Sequence, residues 1–147
     1  MINESPRSLV LERTLNAPPQ RVFSAWTQPQ MLSQWWGPPG SEVIHAEVDL
    51  RVGGRFRLGI QFGEDTSHFV SGIFKTVQSP QKLVFTWRWE GPEMDVGESQ
   101  VTIELEPAGG KTKLRLTHAL LPEAALQPHQ EGWIGILDEL ESYLGAG

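Results

Sequence analysis

The side chains best suited to acid–base or metal chemistry in this chain are four histidines, His45, His68, His118 and His129. None stands at metal-ligand spacing with another. The patterns HExxH, GxGxxG and GxSxG are absent. With no cysteine in the chain, thiolate nucleophiles, cysteine zinc sites and redox dithiols are excluded. His118 differs from the other three. It alternates with Leu114 and Leu116, so it shares their inward strand face. Such a residue is either a core histidine hydrogen-bonded to a neighbour, or a polar anchor or general base inside a cavity. Catalysis there needs a second acid, base or metal, and the strand pattern supplies none. No catalytic residue, metal ligand or cofactor site is therefore assigned.

The other charged groups read as structural. Asp49 and Arg51 flank Gly53-Gly54, where a turn-stabilising ion pair is expected. Arg51, Arg55 and Arg57 fit solvated strand faces. Glu93, Asp95 and Glu98 make an acidic loop rather than a metal site. GGKT at Gly109–Thr112 resembles a phosphate loop, but Leu105 stands where the first glycine is required and a strand follows. It reads as a hairpin turn.

Aromatic residues carry a stronger signal. There are six tryptophans, each large and each needing a partner for its N–H. Trp35, Trp36, Phe56, Phe85, Trp87, Trp89 and Trp133 converge on one interior. A plain core accounts for them, and so does a cavity. Cores favour Leu, Ile and Val, which interdigitate closely, whereas ligand sites are lined by aromatics with a few polar groups. With His118 and Leu137, these residues are the candidate ligand-binding set.

The elements that position them follow from local pattern. Ser8–Leu15 alternates as a strand. Pro18-Pro19 suits a helix start, and Val22, Phe23 and Trp26 recur at helical spacing. Thr27 with Gln30 resembles a capping box for a second helix. That helix carries Leu32, Trp35 and Trp36 on one side and stops at Gly37-Pro38. One tryptophan is expected in the core and the other at a cavity mouth. From Ser41 to Ala119 the pattern is strand. Ile44, Ala46, Val48 and Leu50 share a face, as do Phe56, Leu58 and Ile60. Leu83, Phe85, Trp87 and Trp89 share another, and Val101, Ile103 and Leu105 another. Phe69–Val77 is a strand of unfixed phase because of Gly72. GEDTSH forms the turn before it. After LLPEAALQP the chain turns helical, and Trp133, Leu137, Leu140 and Leu144 mark an amphipathic helix of about four turns. Gly132 and Gly135 each weaken it by roughly 1 kcal/mol against alanine. A helix that tolerates this usually makes a close approach to something.

Length and charge limit the remaining choices. At 147 residues the chain is expected to form one domain, residues 1–147. Its formal charge of −6 opposes a role in nucleic-acid binding. No apolar run reaches membrane-span length and no signal peptide is visible, so a cytoplasmic protein is expected. Sequence leaves monomer and homodimer open.

The order of elements is strand, two short helices, strand meander and long final helix. It resembles the helix-grip, or START-like (SRPBCC), superfamily. Three stretches, AWTQPQMLSQWWGP (Ala25–Pro38), DLRVGGRFR (Asp49–Arg57) and LVFTWRW (Leu83–Trp89), are similar to the family named after the activator homologue of the heat-shock-protein-90 ATPase. Gly132-Trp133 fits that family's final helix, and the likeness runs from about Leu9 to Leu144. The resemblance implies an α+β fold, with a curved antiparallel sheet of six to seven strands wrapped around a long C-terminal helix and a hydrophobic cavity between them. Relatives bind small apolar ligands, cyclise polyketides, protect against an enediyne antibiotic or stimulate a chaperone. No catalytic set is common to them. The first expectation is a non-enzymatic module binding a small hydrophobic or aromatic molecule. A cochaperone-type interaction domain and a cavity enzyme, such as a polyketide cyclase or hydratase, are the alternatives.

Overall fold

Two prolines set the first corner of the fold. The structure, a computed structural model, describes residues 7–64, 66–92 and 94–145. Strand β1 (Arg7–Leu15) leads into helix α1 (Pro19–Thr27), which buries Val22, Phe23 and Trp26. Pro29 forces Gln28 into an extended conformation, with φ −91° and ψ 121°. That residue therefore ends α1 and caps α2 (Pro29–Trp35) at once. The capping box expected at Thr27 does not form. Thr27 still belongs to α1, and its hydroxyl donates to the Phe23 carbonyl at 2.9 Å.

Helix α2 ends one residue sooner than its apolar spacing suggests. Trp36 is its C-cap, extended at φ −69° and ψ 139°, and Gly37 follows at φ +112°. The two indoles thus leave the backbone in different directions.

Strands β2 (Glu42–Val48), β3 (Arg55–Phe62), β4 (Thr66–Gln78), β5 (Lys82–Trp89), β6 (Ser99–Ala108) and β7 (Lys111–Leu121) form an antiparallel meander. With β1 paired to β7, the seven-stranded order is β1-β7-β6-β5-β4-β3-β2. One apolar face of this sheet is covered by the helices, as an antiparallel sheet requires. Helix α3 (Glu123–Gly145) buries Ala125, Trp133, Ile136, Leu137, Leu140 and Leu144. These are the elements of the expected helix-grip architecture.

Local departures have local causes. A bulge between Val43 and His45 rephases β2. Val43, Ala46 and Val48 pack on the core, while Ile44 and Leu50, expected beside them, are exposed. Strand β4 starts at Thr66, inside the stretch expected to be turn; Asp65 of that stretch lies outside the described residues. Its phase slips between Phe74 and Thr76, not at Gly72. Gly72 has another function: a Cβ there would lie 1.9 Å from the Thr86 carbonyl oxygen. Thr86 completes the ladder with its side chain, accepting from Ile73 N–H at 2.8 Å.

Helix α3 is longer than the four turns expected. It has 23 residues and contains Pro128. Pro128 has no N–H to donate one turn back. One residue on, the side chain of His129 turns back along the helix, its Nδ1 meeting the Ala125 carbonyl oxygen at 2.9 Å.

Candidate functional site

The two adjacent tryptophans are both buried, with different contacts. Trp35 turns into the core, where its indole N–H donates to the Ala25 carbonyl at 3.0 Å and its ring meets Trp26 edge-on at 5.0 Å. Trp36 leaves the helix toward the sheet and rests 6.0 Å from Trp87. With Phe56 and Phe85 it surrounds a space of only about 20 Å³. Neither ring borders the larger opening, so the cavity-mouth position expected for one of them is filled by others.

That larger opening is a cleft of about 440 Å³ between the sheet and α3. Ile60 and Phe62 of β3, His68 of β4, and Trp87 and Trp89 of β5 line the sheet side. Ala125, Pro128, His129, Gly132, Trp133 and Ile136 line the helix side, and Pro38, Met94, Val96, Pro122 and Ala124 complete the wall. Among the described residues, none of the lining side chains is Asp, Glu, Lys or Arg. Of the candidate set, Trp87, Trp89 and Trp133 meet here. Trp35, Trp36, Phe56, Phe85, His118 and Leu137 stand behind them and do not line the cleft.

His118 is fully buried and its bonding fixes its tautomer. The Trp133 indole can only donate, so at 2.9 Å His118 Nδ1 accepts. His118 Nε2 then carries the proton and donates to Ser99 Oγ at 2.7 Å. The Ser99 hydroxyl passes its own hydrogen to the Trp87 carbonyl at 3.1 Å. A chain of hydrogen bonds thus runs from α3 through β7 and β6 to β5. Burial, and secondarily the neighbouring His129, lower the His118 pKa to about 3. The ring is neutral, with both nitrogens engaged by the protein. Its geometry matches the hydrogen-bonded core histidine of the two readings left open by the sequence.

His129 sits one ring closer to solvent, 5.0 Å from His118. Trp89 Nε1 donates to its Nε2 at 3.2 Å, which leaves the proton on Nδ1 for the Ala125 carbonyl. Burial lowers its pKa as well. The Trp89–His129 bond joins β5 to α3 at the cleft. His68 stands across from it, with its ring edge-on to Trp89 at 6.4 Å. Trp87 carries a buried indole N–H with no hydrogen-bond partner among the described residues, as does Trp26.

His68, His129 and Gly132 were not among the residues singled out for the site by sequence. His68 shares no obvious apolar stripe, and the stripe that holds His129 begins at Ala125, ahead of the expected start of the helix. Gly132 did carry a signal, as a glycine inside a strong helix.

The charged groups set aside earlier are tied to one another. Arg51 Nε donates to Asp49 at 2.9 Å beside the turn. Arg57 makes a two-pronged pair with Glu90 at 2.9 and 2.8 Å and stacks over Phe69 at 4.1 Å. Arg88 holds Asp95 in the same way, at 3.0 and 2.8 Å; Glu93 lies outside the described residues. Among the described residues no three His, Asp or Glu side chains gather as a metal site would require. No helix among the described residues is long and apolar enough to cross a membrane.

Comparison with known proteins places this geometry in a group. The family model described as activator of Hsp90 ATPase homolog 1-like protein matches residues 16–145. The AHSA1 protein of Silicibacter pomeroyi is 32% identical, covers 95% of this chain and 98% of its own, and superposes with a TM-score of 0.84. A Chromobacterium violaceum protein gives 27% identity over 95% of this chain and 98% of that one, with a TM-score of 0.84. CalU16 from Micromonospora echinospora is 29% identical over 95% of this chain and 76% of its own, with a TM-score of 0.72. No curated protein matches the chain.

Proposed function

The chain belongs to the activator of Hsp90 ATPase homolog 1-like family, and on that premise we propose that it binds a small, uncharged hydrophobic or aromatic molecule between its sheet and α3. The observation that carries this reading is the cleft of about 440 Å³ walled by Trp87, Trp89 and Trp133. Its volume lies within the range of roughly 300–1,000 Å³ seen for small-molecule sites. Burial of apolar surface drives binding at about 25 cal/mol per Å². A charged ligand would lose its hydration and find no opposite charge among the described lining residues.

In this reading Trp87, Trp89 and Trp133 touch the ligand. Trp35, Trp36, Phe56, Phe85 and Leu137 support those rings from behind, and His118 holds Trp133 in place. The engagement of both His118 nitrogens supports a binding role over general-base catalysis, which needs a free lone pair directed at substrate.

Native mass spectrometry of freshly purified protein tests the proposal. A discrete added mass that disappears on denaturation is the expected result. Bare protein that also fails to bind a panel of uncharged aromatic and lipid compounds would overturn it.

A further inference from the structure

Two glycines interrupt α3, and only one has a structural reason within the protein. A Cβ on Gly135 would lie 2.8 Å from Cδ of Pro39, so that glycine lets the Pro38-Pro39 loop lie against the helix. Gly132 has no such neighbour: a Cβ there would meet nothing within 4 Å. Its backbone is ordinary helix, which alanine adopts more readily than glycine does. Neither packing nor conformation accounts for glycine at this position.

Helical spacing shows where the vacant side-chain position points. Ala125, His129, Gly132 and Ile136 step by four, three and four, and all line the cleft. The space beside Gly132 is therefore cleft space, and the stripe is bare of side chain at its centre. We propose that Gly132 is a specificity-determining residue, where a ring of the bound uncharged molecule lies directly against the helix backbone in the space a Cβ would fill. This rests on the binding function proposed above and adds where the ligand touches α3 and what limits its size.

The test uses N-phenyl-1-naphthylamine, an uncharged fluorescent aromatic, titrated into the wild-type chain, Gly132→Ala and Gly132→Leu. Ile134→Ala, on the exposed side of α3, is the control. The wild type and I134A are expected to bind alike. G132A is expected to melt at a higher temperature yet bind about tenfold more weakly, the usual effect of one misplaced methyl group in a fitted apolar site. G132L is expected to lose binding. Should G132L fail to fold, G132A alone decides the matter. If G132A is stabilised and binds as tightly as the wild type, the assignment of Gly132 is overturned while the binding function stands. If the wild type binds no uncharged aromatic and carries no added mass, both are overturned.

Discussion

The indole N–H of Trp133 donates to Nδ1 of His118 at 2.9 Å, and this bond fastens the middle of α3 to the end of β7. It joins two buried side chains, neither of which has water as an alternative partner. His118→Leu is expected to leave the indole donor and the Ser99 hydroxyl short of partners. The expected cost is about 1–3 kcal/mol, read from the midpoint of urea unfolding. Trp133→Phe breaks the same bond from the other side, so the two changes together should cost less than their sum. Strict additivity would show that the bond carries no stability.

The same histidine gives the fold a pH dependence of known sign. In the unfolded chain His118 titrates near its ordinary value of 6.5, and folding lowers this to about 3. Its contribution is fully present above pH 6.5 and is lost as pH falls from there toward 3, where the unfolded chain holds the extra proton. Stability is expected to fall by roughly 1.4 kcal/mol per pH unit for this group within that window. Between pH 6.5 and 5.5 nearly all carboxylates stay ionised, so unfolding midpoints measured there isolate the histidines. His118→Gln should flatten the slope. An unchanged slope would assign the effect elsewhere.

The glycines of α3 are expected to respond with opposite signs. Gly135→Ala places a Cβ 2.8 Å from the rigid Pro39 ring, a clash that outweighs the gain of about 1 kcal/mol in helix propensity. It should lower the melting temperature, where G132A raises it. Thermal unfolding followed by circular dichroism distinguishes them, and a stabilised G135A would show that the proline loop gives way.

Leu120, the next-to-last residue of β7, sits at φ +65°, a conformation costing a non-glycine residue about 1–2 kcal/mol. Its side chain is more than half exposed, so little packing is at stake. Leu120→Gly is expected to be neutral or to stabilise by up to about 1 kcal/mol, since glycine is freer in the unfolded chain but unstrained here. Leu120→Ala keeps the strain and should not stabilise. Equal effects of the two changes in chemical denaturation would rule out backbone strain at Leu120.

Most of the fold can be read from neighbouring residues, because its determinants are local. Proline and glycine stop α2 where the chain bends, and alternation marks Phe56, Leu58, Ile60, Leu83, Phe85 and Trp87 as inward. Where a bulge shifts the phase, as at Ile44, alternation points the wrong way, since one extra residue puts the side chains on its two sides out of phase with each other. Trp36 misleads for a similar reason: its spacing is helical, but the backbone has already left the helix. The site is harder to read than the fold. Inward-facing residues of a curved sheet divide into those packed beneath the helix and those beside its open end, and that division depends on where the helix crosses. Phe85 and Trp87 are two residues apart on one face, yet only Trp87 reaches the large cleft. His129 reaches it because Pro128 lies within α3 rather than ahead of it.

The pairing of β1 with β7 also bears on how the chain is made. Strands β2 to β7 each pair with the next, so the meander can assemble as it emerges from the ribosome. Strand β1 cannot join it until β7 has been synthesised. The Thr112 hydroxyl donates to the Ala17 carbonyl at 2.7 Å, 95 residues away in sequence. At about 5–20 residues per second, the first strand waits on the order of several seconds with its apolar face exposed. Long-range closure of this kind slows folding, and for that interval β1 stands without its partner strand, with its backbone N–H and C=O groups open to pairing.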